Sequence, residues 1–114
     1  MDARARLDAL RSDAAARVAA LEEALRALTQ DRLGSNDDDE HDPEGVPLSA
    51  EWSRLSGLTE GARAELGQVD DALARLEAGT YGVCARCGKP IPAARLEVRP
   101  FAELCVPCAE ASAR

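Results

Sequence analysis

The chain has 114 residues, enough for one domain or for one domain with an extended arm. Alanine, leucine, glutamate, arginine and lysine make up about half of them, a composition typical of long helices and coiled coils. Phenylalanine, tryptophan and tyrosine occur once each, which argues against a β-sandwich or a barrel with a thick core. The net charge of −7 argues against tight nucleic-acid binding by the whole chain, because neutralising phosphates needs clustered lysine and arginine.

The sequence contains no segment that predicts a membrane span or a secretory signal. Its longest apolar runs are a handful of residues, whereas a spanning helix needs about 20. Arginines near the N-terminus are typical of transit peptides, but Asp2, Asp8 and Asp13 count against one. We therefore expect a cytoplasmic protein, in which thiols stay reduced and paired cysteines more often bind metal than form disulfides.

Residues 3–33 predict one amphipathic helix without proline or glycine. At about 1.5 Å per residue, such a helix is roughly 45 Å long. Its apolar positions recur at steps of three or four and share one face. They are Leu7, Leu10, Ala14, Val18, Leu21, Leu25 and Leu28.

Residues 34–49 predict an acidic loop. Pro43 and Pro47 block a continuous helix, and no lysine or arginine lies between Arg32 and Arg54. The loop contains six carboxylates, namely Asp37, Asp38, Asp39, Glu40, Asp42 and Glu44.

Residues 50–78 return to helical periodicity, although three glycines lower the local helix propensity. Two apolar stripes of matched length, joined by a loop, predict an antiparallel coiled-coil hairpin over residues 1–78, with the acidic loop at its tip. The second stripe is Trp52, Leu55, Leu58, Ala62, Leu66, Val69, Leu73 and Leu76.

Residues 79–114 form a second predicted domain that contains all four cysteines. The pairs Cys84/Cys87 and Cys105/Cys108 make two C-x2-C motifs separated by 17 residues, within the spacing typical of a four-cysteine zinc site. Four thiolates would complete a tetrahedral shell and leave no open position, which predicts one structural Zn²⁺. A redox role for the two motifs and an iron–sulfur centre are less favoured alternatives.

The residues around these cysteines resemble the DksA/TraR-type C4 zinc-finger family. The resemblance is close over about residues 70–110, and the predicted hairpin extends it to nearly the whole chain. The residues that carry it are Leu73-Ala-Arg-Leu-Glu-Ala-Gly-Thr-Tyr-Gly-Val-Cys84-Ala-Arg-Cys87-Gly88-Lys-Pro-Ile91, Arg95-Leu96-Glu97-Val-Arg99-Pro100, Cys105 and Cys108.

The resemblance implies a transcription regulator that binds RNA polymerase directly, inserts its hairpin through the secondary channel and binds no specific DNA sequence. It places Asp39, Asp42 and Glu44 at the tip, facing the polymerase active site. The family pattern there is Asp-x-x-Asp-x-Ala, so Glu44 stands where alanine is expected. An acidic tip would be attracted to catalytic Mg²⁺ and to basic active-site residues.

Basic residues of the finger, Arg95 and Arg99 in particular, are candidates for contact with the channel rim. Gln68 and Ala109 stand where the family's guanosine-tetraphosphate contacts have lysines, which predicts weak nucleotide dependence. We expect a monomer. We also expect no enzymatic activity, because the sequence shows no base–nucleophile pair and no open metal site. The alternative is a zinc-stapled coiled-coil interaction or stress protein that oligomerises without binding polymerase.

Overall fold

A computed structural model describes residues 2–35 and 48–113. Two long helices, α1 (Ala3–Ser35) and α2 (Leu48–Ala78), precede two short ones, α3 (Ala93–Val98) and α4 (Val106–Ser112). In this described part the only β pairing is an isolated bridge between Val83 and Pro90. The predicted class, mainly α with a cysteine module after two long helices, is confirmed. Both long helices extend two residues further into the predicted loop than the periodicity indicated.

Helix α1 begins with a side-chain cap that the sequence analysis missed. The Ala5 amide donates to the Asp2 carboxylate at 2.7 Å, and the Arg6 amide donates to the Asp2 carbonyl at 3.0 Å. The first amides of a helix have no partner within the helix, so an aspartate here contributes about 1 kcal/mol. Asp2 therefore has a structural role in starting the helix.

The chain divides into two compact units. The finger unit comprises Met1–Arg11 and Gly67–Arg114, and the helical unit comprises Ser12–Leu66. In each unit, ion pairs show that α1 and α2 run antiparallel, because the partner's residue number falls as the α1 number rises. The pairs are Arg4–Glu77 and Arg11–Asp70 in the finger unit, and Arg17–Glu65 and Glu22–Arg63 in the helical unit.

These ion pairs fix register more than they stabilise the fold. Their N–O distances range from 2.6 to 3.1 Å, but their side chains are largely exposed to solvent. Exposed pairs of this kind contribute about 0 to 1 kcal/mol each. The free energy of the helix pairing therefore comes mainly from the apolar stripes.

In the helical unit, the predicted α2 stripe is wrong at Leu58, and Trp52 is also exposed, at 38%. Leu58 is 47% exposed, and Thr59 is buried in its place. The Thr59 hydroxyl donates to the Leu55 carbonyl at 2.7 Å, which satisfies its only polar group within the helix. Among the residues of this unit that the structure describes, the other buried side chains are Ala14, Val18, Leu55 and Ala62.

The finger unit has two groups of buried side chains. On the long helices, Leu7, Val69 and Ala72 are fully buried. After α2, Cys84, Ile91 and Leu96 form a second small cluster. The finger therefore buries few apolar side chains, as expected for a segment that relies on a metal for its stability.

Alanine at Gly57 or Gly61 is expected to stabilise the protein. A Cβ atom at either position of α2 would meet nothing within 4 Å beyond its chain neighbours and the nearby backbone of its own helix. Each substitution should therefore raise the free energy of unfolding by about 0.5–1 kcal/mol, because glycine is the costlier residue in a helix. Urea unfolding followed by circular dichroism at 222 nm measures this effect.

Gly82→Ala is the matched control for this prediction. Gly82 has a φ of +83°, and an added Cβ would lie 3.4 Å from the Leu96 side chain. The same substitution should therefore destabilise the protein here. A loss of stability in Gly57→Ala and Gly61→Ala as well would contradict the prediction.

Candidate metal centre

The first cysteine pair lies in a turn that closes on itself, which we call the first knuckle (residues 82–91). The Cys84 amide donates to the Lys89 carbonyl at 2.8 Å, and the Ile91 amide donates to the Gly82 carbonyl at 2.7 Å. These bonds belong to the backbone of the knuckle itself. The first pair therefore owes its position to local structure.

Two glycines make this turn possible. Gly82 has a φ of +83° and Gly88 a φ of +77°, in the left-handed region that other residues rarely adopt. The Gly88 amide donates to the Cys84 carbonyl at 2.9 Å, and the Cys87 amide lies 3.5 Å from the Cys84 sulfur. The turn thus brings backbone amides close to the first sulfur.

The second cysteine pair begins α4. Cys105 precedes the first helical residue in an extended conformation, and Cys108 lies in the first turn. The Ala109 amide donates to the Cys105 carbonyl at 2.9 Å, while Pro107 stands in the first turn, where no amide donor is needed. A helix start therefore projects both sulfurs of this pair in one direction.

The four sulfurs converge on one point. All four Sγ atoms lie within 4.8 Å of one another, and none belongs to a disulfide. The Sγ atoms of Cys87 and Cys105 are 3.8 Å apart. Sulfurs at about 2.3 Å from a tetrahedral zinc ion lie about 3.8 Å from each other, so the residues present fit this ion.

The electrostatics of the cluster favour a cation. Amide hydrogen bonds, first from Cys87 and then from Cys105, lower the pKa of the Cys84 thiol to about 5. The hydrogen bond with Cys105, together with burial, raises the pKa of the Cys108 thiol to about 12. One sulfur thus ionises readily while another keeps its proton, and a divalent ion would take the place of such protons.

Of the two basic residues predicted to contact the polymerase rim, Arg95 is engaged inside the finger. Its Nε atom donates to the Leu104 carbonyl at 2.9 Å, and its side chain is half-buried. Arg99 is exposed. Both line a surface depression of about 460 Å³, together with Gln68 and Phe101.

The predicted tip residues Asp39, Asp42 and Glu44 lie outside the described residues. Their assignment remains a prediction from the sequence.

Comparison with known families assigns the cysteine module. A profile of the prokaryotic dksA/traR C4-type zinc finger matches residues 79–113. These residues form a DksA/TraR-type zinc finger. The four clustered cysteines are its metal site, and zinc has a structural role there, because four thiolates leave no coordination position for a substrate.

Curated relatives match different parts of the chain. An uncharacterised protein of Aquifex aeolicus is 39% identical over 83 residues, 72% of this chain and 57% of its own length. The RNA polymerase-binding transcription factor DksA of Caulobacter vibrioides is 46% identical over 48 residues, 42% of this chain and 34% of its own. General stress protein 16O of Bacillus subtilis is 36% identical over 72 residues, 63% of this chain and 44% of its own.

A solved structure extends the similarity beyond the DksA/TraR finger. Transcription factor DksA2 from Pseudomonas aeruginosa superimposes with a TM-score of 0.80 at 28% identity, covering 96% of this chain and 79% of that one. The curated matches, by contrast, cover between about a third and three fifths of the relatives' lengths. No helix within residues 2–35 and 48–113 combines the length and hydrophobicity of a membrane span.

Proposed function

We propose that this chain is a DksA/TraR-like transcription regulator that binds RNA polymerase directly through its secondary channel, with zinc in a structural role. The observation that carries the proposal is the combination of a DksA/TraR finger with a fold similar to DksA2 over 96% of the chain. A relative named as an RNA polymerase-binding factor supports the same partner.

In this proposal, Asp39, Asp42 and Glu44 of the segment joining α1 to α2 face the polymerase active site. Their charge supports the role, because carboxylates attract Mg²⁺ and basic side chains and are repelled by nucleic acid. Arg99 is the stronger rim contact, since it is exposed, whereas the Arg95 Nε is occupied by the Leu104 carbonyl.

The same proposal covers the remaining properties of the molecule. The protein acts in the cytoplasm as a monomer, recognises no specific DNA sequence and catalyses no reaction. Its negative charge supports the absence of DNA recognition, and the closed four-thiolate shell supports the absence of catalysis. We also propose that residues 1–78 and 79–114 act as separate domains, one entering the channel and one remaining at its rim.

In vitro transcription with the cognate polymerase tests this function. Asp39→Asn and Asp42→Asn should each reduce the effect on transcription at least about fivefold, because a charge near the active-site cations contributes about 1 kcal/mol or more. Both variants should still bind polymerase in analytical ultracentrifugation.

Asp13→Asn is the matched control, since it removes one exposed carboxylate from α1, away from the acidic segment. It should leave the transcriptional effect unchanged. Absence of polymerase binding at micromolar wild-type protein would refute the proposal as a whole. Binding with unchanged transcription in both tip variants would refute only the role of the acidic segment.

A second candidate function is a zinc-stapled interaction or stress protein that oligomerises without polymerase. The match to a general stress protein favours it, and so does Trp52, which is 38% exposed beside a depression of about 490 Å³ lined also by Leu25 and Arg63. Sedimentation of the free protein distinguishes the two, because this second function requires a stable oligomer.

A further inference from the structure

The segment before the second cysteine pair, which we call the strap (residues 100–104), is held by side chains from outside it. At its start, the Tyr81 hydroxyl donates to the Pro100 carbonyl at 2.8 Å. At its end, the Arg95 Nε donates to the Leu104 carbonyl at 2.9 Å. Both donors are half-buried, so water competes poorly for these carbonyls.

Two further residues, Ala85 and Arg75, join the middle of the strap to the rest of the finger unit. The Ala85 amide of the first knuckle donates to the Glu103 carbonyl at 2.8 Å. The Arg75 guanidinium of α2 lies 3.4 Å from the Phe101 carbonyl and 3.8 Å from the Glu103 carboxylate. Four of the five strap carbonyls therefore accept hydrogen bonds from residues outside the strap.

The two halves of the metal centre are thus built differently. The first knuckle closes through its own backbone bonds, as between Cys84 and Lys89. The second pair follows directly after the strap, and Leu104 is the residue immediately before Cys105. The strap starts with a turn in which the Ala102 amide donates to the Arg99 carbonyl at 3.0 Å. Because the Glu103 and Leu104 carbonyls just before Cys105 accept from Ala85 and Arg95 instead, the position of Cys105 depends on donors outside the strap.

We propose that Tyr81 and Arg95 are positioning residues for the metal centre. By fixing the two ends of the strap, they place Cys105 and Cys108 opposite the first pair, and zinc affinity depends on them although neither supplies a ligand atom. Partners outside the ligand set commonly change metal affinity by about 10- to 100-fold. The inference concerns the zinc site alone and stands apart from polymerase binding.

Two conservative variants of the full-length protein test this role. Tyr81→Phe keeps the ring and removes the hydroxyl, and Arg95→Lys keeps the charge and removes the Nε donor. Each should weaken zinc binding about 3- to 10-fold, and the double variant about 10- to 100-fold, in competition with a chromophoric chelator. Wild-type affinity in the double variant would overturn the proposal.

Lys89→Gln separates positioning from electrostatic attraction. It removes an exposed positive charge two residues from Cys87 but leaves the Lys89 carbonyl and the strap bonds in place. Its zinc affinity should stay within about twofold of wild type, because an exposed charge interacts weakly across water. If Lys89→Gln weakened zinc binding as much as Tyr81→Phe, charge would explain the effect and the positioning role would be wrong.

A spectroscopic readout separates positioning from general destabilisation. In the protein loaded with ¹¹³Cd, the couplings from the metal to each cysteine report on individual ligands. The double variant should broaden or shift the Cys105 and Cys108 couplings and leave those of Cys84 and Cys87 unchanged. A uniform change at all four cysteines would overturn the proposal, since loss of fold would affect both pairs alike.

Discussion

Cys84→Ser is expected to unfold residues 79–113 and to leave the helical unit folded. Serine is not ionised at neutral pH and is a poor zinc ligand, so the variant keeps three thiolates and loses the closed shell. Metal binding in comparable structural zinc peptides contributes about 10–16 kcal/mol. The small cluster of Cys84, Ile91 and Leu96 cannot replace a term of that size.

Amide hydrogen exchange read by mass spectrometry measures this result directly. Peptides from the first knuckle and from α3 should lose their protection, whereas peptides covering buried Val18, Leu55 and Ala62 should keep it. The helix signal in circular dichroism should fall only by the contribution of the finger.

Ala111→Ser is the matched control, because it introduces the same side chain at an exposed position of α4. Its exchange pattern should equal that of the wild type. Chelation of zinc from the wild-type protein should reproduce the Cys84→Ser pattern. A finger that stayed protected without zinc would show that its fold does not depend on the metal.

Leu7→Ala is expected to lower the free energy of unfolding by about 2–5 kcal/mol. Leu7 is 0% exposed, and truncating a fully buried leucine loses its transfer free energy and leaves a cavity. Val69 and Ala72 are buried on α2 of the same unit and have little freedom to fill the space. Urea unfolding of the zinc-loaded protein, followed at 222 nm, gives the value.

Leu58→Ala makes the same chemical change at a position that is 47% exposed. Its cost should stay below about 1 kcal/mol, because nearly half of that residue remains in water in the folded state and a truncation there leaves no closed cavity. Equal losses at the two positions would mean that the buried and exposed faces are wrongly assigned. This pair also tests Leu58, a stripe position at which the sequence prediction was wrong.

The helices and the cysteine site follow from local patterns, which is why the sequence predicts them. Unbroken three- and four-residue steps define each long helix, and two C-x2-C motifs bring ligands together in pairs before any long-range contact forms. Tyr81, within the motif run that carries the resemblance, packs against the buried cluster of the finger.

Hydrophobic periodicity fails to predict the buried face where a polar residue is buried and its apolar neighbour is exposed. A stripe with steps of three or four accepts either Leu58 or Thr59, and hydrophobicity favours the leucine. The structure buries the threonine because its hydroxyl finds the Leu55 carbonyl one turn earlier. No residue pattern predicts this bond, since a buried threonine and an exposed one on a helix have the same sequence context.

Arg95 shows a second limit of local patterns. A basic residue on a finger is typical of a binding surface, and the contact of Arg95 with the channel rim stays a prediction. The partner of its Nε atom is the carbonyl of Leu104, a backbone group without any signature in the sequence. Long-range bonds from side chains to backbone therefore mark the limit of sequence reasoning in this molecule.

The direction of the strap bonds has a consequence for biosynthesis. Tyr81, Ala85 and Arg95 donate to carbonyls that come later in the chain than the donors themselves. As the chain leaves the ribosome, the first knuckle emerges before residue 100 and can close first, and the strap then docks on donors already in place. The finger can therefore assemble in the order of its synthesis. The thiolates of Cys84 and Cys87 can bind zinc first, and those of Cys105 and Cys108 then complete the shell.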